Sequence, residues 1–95
     1  MAEQLRIVQG HRVRDRAGNA YGILDFNPDV TDPAVALAID RGDGGESSSP
    51  VVRVGRVLNI GPQAWRAVEV QTAQLPVYLV LEAQQSSDVV AGDER

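Results

Sequence analysis

VRDRAGNAYGILDF, residues 13–26, decides how this chain folds. Around Val13 the side chains alternate, with Arg12 and Arg14 on one side and Val13 and Asp15 on the other, which is the period of a strand. Ala17-Gly18-Asn19-Ala20 then predicts a tight turn, because Gly and Asn both tolerate positive φ. Tyr21–Phe26 resumes an apolar pattern, so the stretch reads as a β-hairpin. Gly22, inside the returning strand, predicts a bulge or a close backbone approach.

Outward from the hairpin the punctuation continues. Upstream, Leu5–Val8 is apolar and β-branched and reads as a strand, and Gly10-His11 marks a bend. Downstream, Asn27–Pro33 carries two prolines and several Asx residues and reads as a loop. Ala34–Ile39 is uniformly apolar, as expected of a strand buried on both faces. Asp40–Pro50 is the longest cluster of breakers and is expected to be mobile. Val51–Ile60 reads as one strand with a bulge at Gly55, and Gly61-Pro62 as a turn. Trp65–Val70 is rich in β-branched residues and reads as a strand, followed by a short helical turn over Thr72–Leu75. The competing reading is an α+β domain with a helix over Pro62–Leu75, started by the proline. Val77–Ala83 is the closing strand. The expected fold class is mainly β: five or six short strands in a small barrel-like domain over residues 1–83, with a disordered tail over 84–95.

Composition sets the chemistry that is accessible. At 95 residues the chain suits one domain. Aromatics are only 4% against 43% hydrophobic residues, so the core must be mainly aliphatic. There is no cysteine, which removes disulfides, thiolate chemistry and Cys-based metal sites. The opening residues show no signal-peptide pattern, and no apolar run approaches the ~18 residues of a membrane span, so the expected compartment is the cytoplasm. A net charge of −4 argues against general nucleic-acid affinity. The charge is uneven, however: Arg6, Arg12, Arg14 and Arg16 crowd the beginning, and Asp25, Asp29, Asp32, Asp40, Asp43 and Glu46 the middle. All 9 basic residues are arginine.

Val13, Asp15, Gly18, Tyr21, Gly22 and Leu24 follow the spacing V-x-D-x-x-G-x-x-[IL]-G-x-[VL], with Tyr21 in place of the smaller aliphatic residue. In this the hairpin resembles the first hairpin of the PRC-barrel family, known from the photosynthetic reaction centre H subunit and a ribosome maturation factor. Ala36–Asp40, Val51–Val54 and Pro76-Val77-Tyr78 are similar to its later strands, although the usual Pro-Trp or Pro-Phe of the return strand is absent. The resemblance implies a non-enzymatic adaptor or assembly module.

Candidate sites divide into weak chemical motifs and two arginine–aromatic patches. His11 is the only histidine and has no recognisable partner in sequence. Asp25, Asn27, Asp29, Thr31 and Asp32 open like an EF-hand, but Val30 takes the glycine position and Ala36 that of the bidentate glutamate. Asx turns explain the spacing better. Arg41-Gly42-Asp43 reads as a turn. Ser47–Ser49 offers hydroxyls without an activating base. No cofactor, metal or catalytic residue is expected. Trp65, the sole tryptophan, is either the large filler of the core or an exposed anchor flanked by Arg56 and Arg66. Tyr21 and Phe26, with Arg12, Arg14 and Arg16, offer a second arginine–aromatic patch.

These features predict a non-catalytic protein-interaction or assembly module that binds a protein partner, with charge asymmetry favouring a homo-oligomer. Single-stranded nucleic-acid binding through the arginine–aromatic face is one alternative. An accessory subunit of an enzyme complex is the other.

Overall fold

A computed structural model of the chain describes residues 3–84. The strands are Gln4–Val8 (β1), Val13–Arg14 (β2), Ala20–Phe26 (β3), Val35–Asp40 (β4), Val51–Val52 (β5), Val57–Ile60 (β6), Gln63–Gln71 (β7) and Tyr78–Gln84 (β8). They form two antiparallel four-stranded sheets, β1-β8-β7-β6 and β2-β3-β4-β5. We call them the A sheet and the B sheet. β1 lies beside β2 and β3, which joins the sheets along one side. The other side is open, so the architecture is mainly β but not a closed barrel. Among the described residues no helix is long and apolar enough to cross a membrane.

The inner faces share one core. Leu5, Ile7, Leu58, Ile60, Trp65, Ala67, Leu79 and Leu81 come from the A sheet, and Tyr21, Val35, Leu37, Ile39 and Val52 from the B sheet. Buried positions alternate along β4 and β6, as a strand covered on one face requires.

Several expectations are corrected by the hydrogen bonding. Among the described residues there are eight strands rather than five or six, and the stretch Val51–Ile60 splits into β5 and β6. Gly55, at φ +96, turns the chain, and Arg56 N donates to Arg53 O at 3.1 Å. The helical turn over Thr72–Leu75 does not form. Gln71 ties that connection instead: its Nε2 donates to the carbonyls of Gln74 (2.8 Å) and Pro76 (3.1 Å), and its Oε1 accepts from Gln74 N (3.0 Å). Nor is there a helix over Pro62–Leu75. Gly61 at φ +62 followed by Pro62 makes a two-residue turn that starts β7.

The bulge expected at Gly22 lies two residues on. Gly22 pairs in register with Ala38, and the register slips between Ile23 and Asp25, at Leu24. β4 is covered on one face only, with Ala36 and Ala38 on the outer face. Gln84, expected to begin the tail, is the last residue of β8. The rest of the expected tail lies outside the described residues.

Candidate interaction surface

Asp15 organises the first hairpin. Its Oδ1 accepts from the amides of Ala17 and Asn19, both at 2.9 Å. Its Oδ2 accepts from Asn19 Nδ2 (2.9 Å) and from the Tyr21 hydroxyl (2.7 Å). Burial works to raise the Asp15 pKa, but these hydrogen bonds outweigh it and hold the carboxyl below the usual range. Burial, with Asp15 alongside, pushes the Tyr21 phenol well above its ordinary value. The turn itself needs positive φ only at Gly18 (+90°); Asn19 stays in an ordinary conformation. Asn19 has another task. Its Oδ1 accepts from Gly42 N at 2.8 Å and clasps the hairpin to the Asp40–Pro50 loop.

That loop, expected to be mobile, is tied at several further points. Ser47 Oγ donates to Asp40 Oδ1 at 2.8 Å, and Ser48 exchanges backbone hydrogen bonds with Ile39. Arg41 pairs with Asp43 at 2.5 Å and reaches the Gly61 turn. The Arg-Gly-Asp sequence therefore forms a structural knot between three turns.

The sequence-predicted site residues do not meet on one surface. Tyr21 is fully buried and Trp65 is 2% exposed, so Trp65 takes its core-filler role and neither is a surface anchor. Phe26 is half-buried against the core. Arg12 pairs with Asp40, and Arg16 lies near Glu3. Arg14 Nη1 donates to Gly18 O at 3.4 Å, and Arg56 Nη1 to Val51 O at 2.5 Å. Arg66 stands on the outer face of the A sheet opposite Glu82. The asymmetry of charge along the sequence is largely cancelled in space, since Arg53 also grips Asp32 at 2.8 and 3.1 Å.

In the Asn27–Pro33 loop the oxygens serve Asx turns. Asn27 Oδ1 accepts from Asp29 N, and Asp29 Oδ1 from Thr31 N and Oγ1. Thr31 holds the Asp29 pKa below its ordinary value, and Arg53 does the same for Asp32. His11 borders a shallow depression with Arg12, Gly22, Leu24 and Ala38.

Two surfaces emerge that sequence reasoning missed. The first is the outer face of the B sheet. Gly22, Ala36 and Ala38 form a low floor on which Leu24 (61% exposed) and Val51 (46% exposed) stand. The outer face of the A sheet is the opposite in character: Arg66 faces Glu82, Tyr78 Oη donates to Glu69 at 2.5 Å, and Arg6 stacks 4.3 Å from the Tyr78 ring. The signal for the B-sheet face was present in AVALAI, residues 34–39, where small and large side chains alternate.

The second surface is the open side between the sheets. A cleft of ≈ 520 Å³ runs there between Ser48–Pro50 and Arg56–Ile60.

No family model, curated protein or solved structure matches the chain.

Proposed function

We propose that this chain is a non-catalytic assembly module and that the outer face of the B sheet packs against a second copy of itself. The observation that carries the reading is the contrast between the two outer faces. The A-sheet face carries charged side chains along β1, β7 and β8, whereas on the B-sheet face the Arg12–Asp40 pair borders a floor of glycine and alanine from which Leu24 and Val51 stand out to solvent. A floor of Gly22, Ala36 and Ala38 lets another surface approach closely. Adding a Cβ at Gly22 would meet nothing within 4 Å, so the space above it is open.

The charges at the two ends support a self-complementary contact. Arg14 flanks one end and Asp25 the other, and neither has an ion-pair partner among the described residues. A twofold axis lying in the interface and crossing the strands would set Arg14 of each copy near Asp25 of the other. Four strands at ~4.8 Å spacing and about five residues at ~3.4 Å give roughly 300 Å² in plan. That is a small interface, so association should be weak and reversible.

Sedimentation velocity from ~10 μM to ~1 mM tests this. A monomer–dimer equilibrium is expected, abolished by Leu24→Asp and weakened by Asp25→Arg. The double exchange Arg14→Asp/Asp25→Arg should restore it. A monomer throughout, or a dimer indifferent to all of these changes, refutes the reading.

A further inference from the structure

The A sheet ends at β6, and nothing among the described residues pairs with that strand's outer edge. Ladder parity shows which groups are free. Ala67 N donates to Arg56 O at 2.9 Å, and Ile60 is opposite Gln63 across the two-residue turn. In an antiparallel pair the bonded positions alternate, so Arg56, Leu58 and Ile60 face β7. Val57 and Asn59 therefore point their amides and carbonyls away from it, toward the cleft.

The facing wall has the same character. Ser48 exchanges bonds with Ile39, and Pro50 O accepts from Leu37 N at 3.0 Å, so these residues face β4 and Ser49 faces outward. The Val51 carbonyl is already held by Arg56. Edges are usually blunted by prolines, charges or bulges. β5 has Pro50 before it and is very short, whereas Val57–Ile60 contains neither a proline nor a charge.

We propose that this open side is a second binding site, distinct from the outer face of the B sheet, and that it takes an extended peptide of a partner protein as an added strand along β6. Main-chain bonds to Val57 and Asn59 would supply affinity without sequence preference. Specificity would come from two features. Side chains on the inward side of the added strand meet Leu58, Ile60 and Ile39, which selects apolar residues at alternate positions. At the Val57 end stands Arg56, which has no carboxylate partner among the described residues and selects an acidic residue there. The occupant is thus a short extended segment of alternating apolar residues with an acid at one end.

The test selects peptides from a random twelve-residue phage library on the full chain and maps the tightest one, as a synthetic peptide, by amide hydrogen exchange. The peptide should carry the alternating apolar pattern with an acid, and should slow exchange at Val57 and Asn59 by tenfold or more. Asn59→Pro removes an outward amide without removing a bond to β7, and should weaken binding at least tenfold. Arg56→Glu leaves the ladder intact and should also weaken binding tenfold, which keeps the test decisive if the proline variant does not fold. Running both on the Leu24→Asp background separates this site from self-association. Protection at other amides, equal affinity for Arg56→Glu, or no selected binder overturns the proposal. So does protection of Val57 and Asn59 in the free chain, because the edge would then already be filled.

Discussion

Gly42→Ala should be the most damaging glycine-to-alanine change among the described residues. A Cβ at residue 42 would lie 2.6 Å from both the carbonyl carbon and oxygen of Gly18, and 2.9 Å from Ala17 O. All three are backbone atoms of a turn already fixed by Asp15, so the obstruction cannot rotate away. Relief requires the loop to withdraw, which breaks the Gly42 N to Asn19 Oδ1 bond and strands an acceptor on a side chain in a residue only 5% exposed. Overpacking costs about 1–3 kcal/mol and an orphaned buried acceptor about 1–3, so the loss should be about 2–6 kcal/mol. A chain of this length has a total stability of roughly 5–14 kcal/mol, so much of it would go. Urea unfolding followed by Trp65 fluorescence should show a lower midpoint at unchanged slope, and the melting temperature should fall by about 10 °C or more. Gly22→Ala is the matched control. Its φ is ordinary and its Cβ would be free, so it should be neutral or stabilising by up to about 1 kcal/mol. If Gly42→Ala unfolds within about 0.5 kcal/mol of wild type, the hairpin and the loop are not in contact and the knot described above is wrong.

Three further outcomes follow from the same structure. Tyr21→Phe removes the 2.7 Å hydrogen bond to a carboxylate and should cost about 1–2 kcal/mol by the same urea assay. Because the folded-state pKa of Asp15 is depressed below 3.8, its contribution is present above that pH and lost as pH falls through the lower folded value; the stability gap between wild type and Asp15→Asn should therefore narrow in acid, as read by unfolding at pH 7 and pH 3. Trp65 is almost wholly buried, so its emission should be blue-shifted in the native chain, and Trp65→Ala should cost about 3–5 kcal/mol by calorimetry.

Legibility in the sequence tracked how local the cause was. The first hairpin was readable because Gly18 and the alternation around Val13 act within a few residues. The break at Gly55 was visible, but whether it bulged or turned depended on Ala67, which holds Gly55 N at 2.8 Å from the next strand. Thr72–Leu75 misled because a Gln side chain, not the backbone, satisfies that connection. The site was less legible still. Asn19 and Gly42 meet only through folding, 23 positions apart. The B-sheet face stayed hidden because Ala36 and Ala38 count as apolar in any periodicity; only their size distinguishes an outer floor from a buried layer.

The arginines show where the basic charge counted in the composition goes in the fold. Arg53 grips both oxygens of Asp32 in a bidentate contact that a lysine could not reproduce. Arg12, Arg16 and Arg41 take carboxylates, Arg6 takes an aromatic face, and Arg14 and Arg56 take backbone carbonyls. Most of the basic charge that would attract a nucleic acid is thus committed within the domain, and the buried rings of Tyr21 and Trp65 offer no stacking platform beside it. Arg14 at the end of an apolar face and Arg56 at the end of an open strand edge keep guanidinium groups without a carboxylate. Both lie next to apolar surface, where a partner's acid would be drawn out of water and its pairing strengthened. Of the four described arginines without a carboxylate partner, Arg6, Arg14, Arg56 and Arg66, it is Arg14 and Arg56 that stand at the ends of the two proposed contacts, and on that proposal their position matters more than the net charge of the chain.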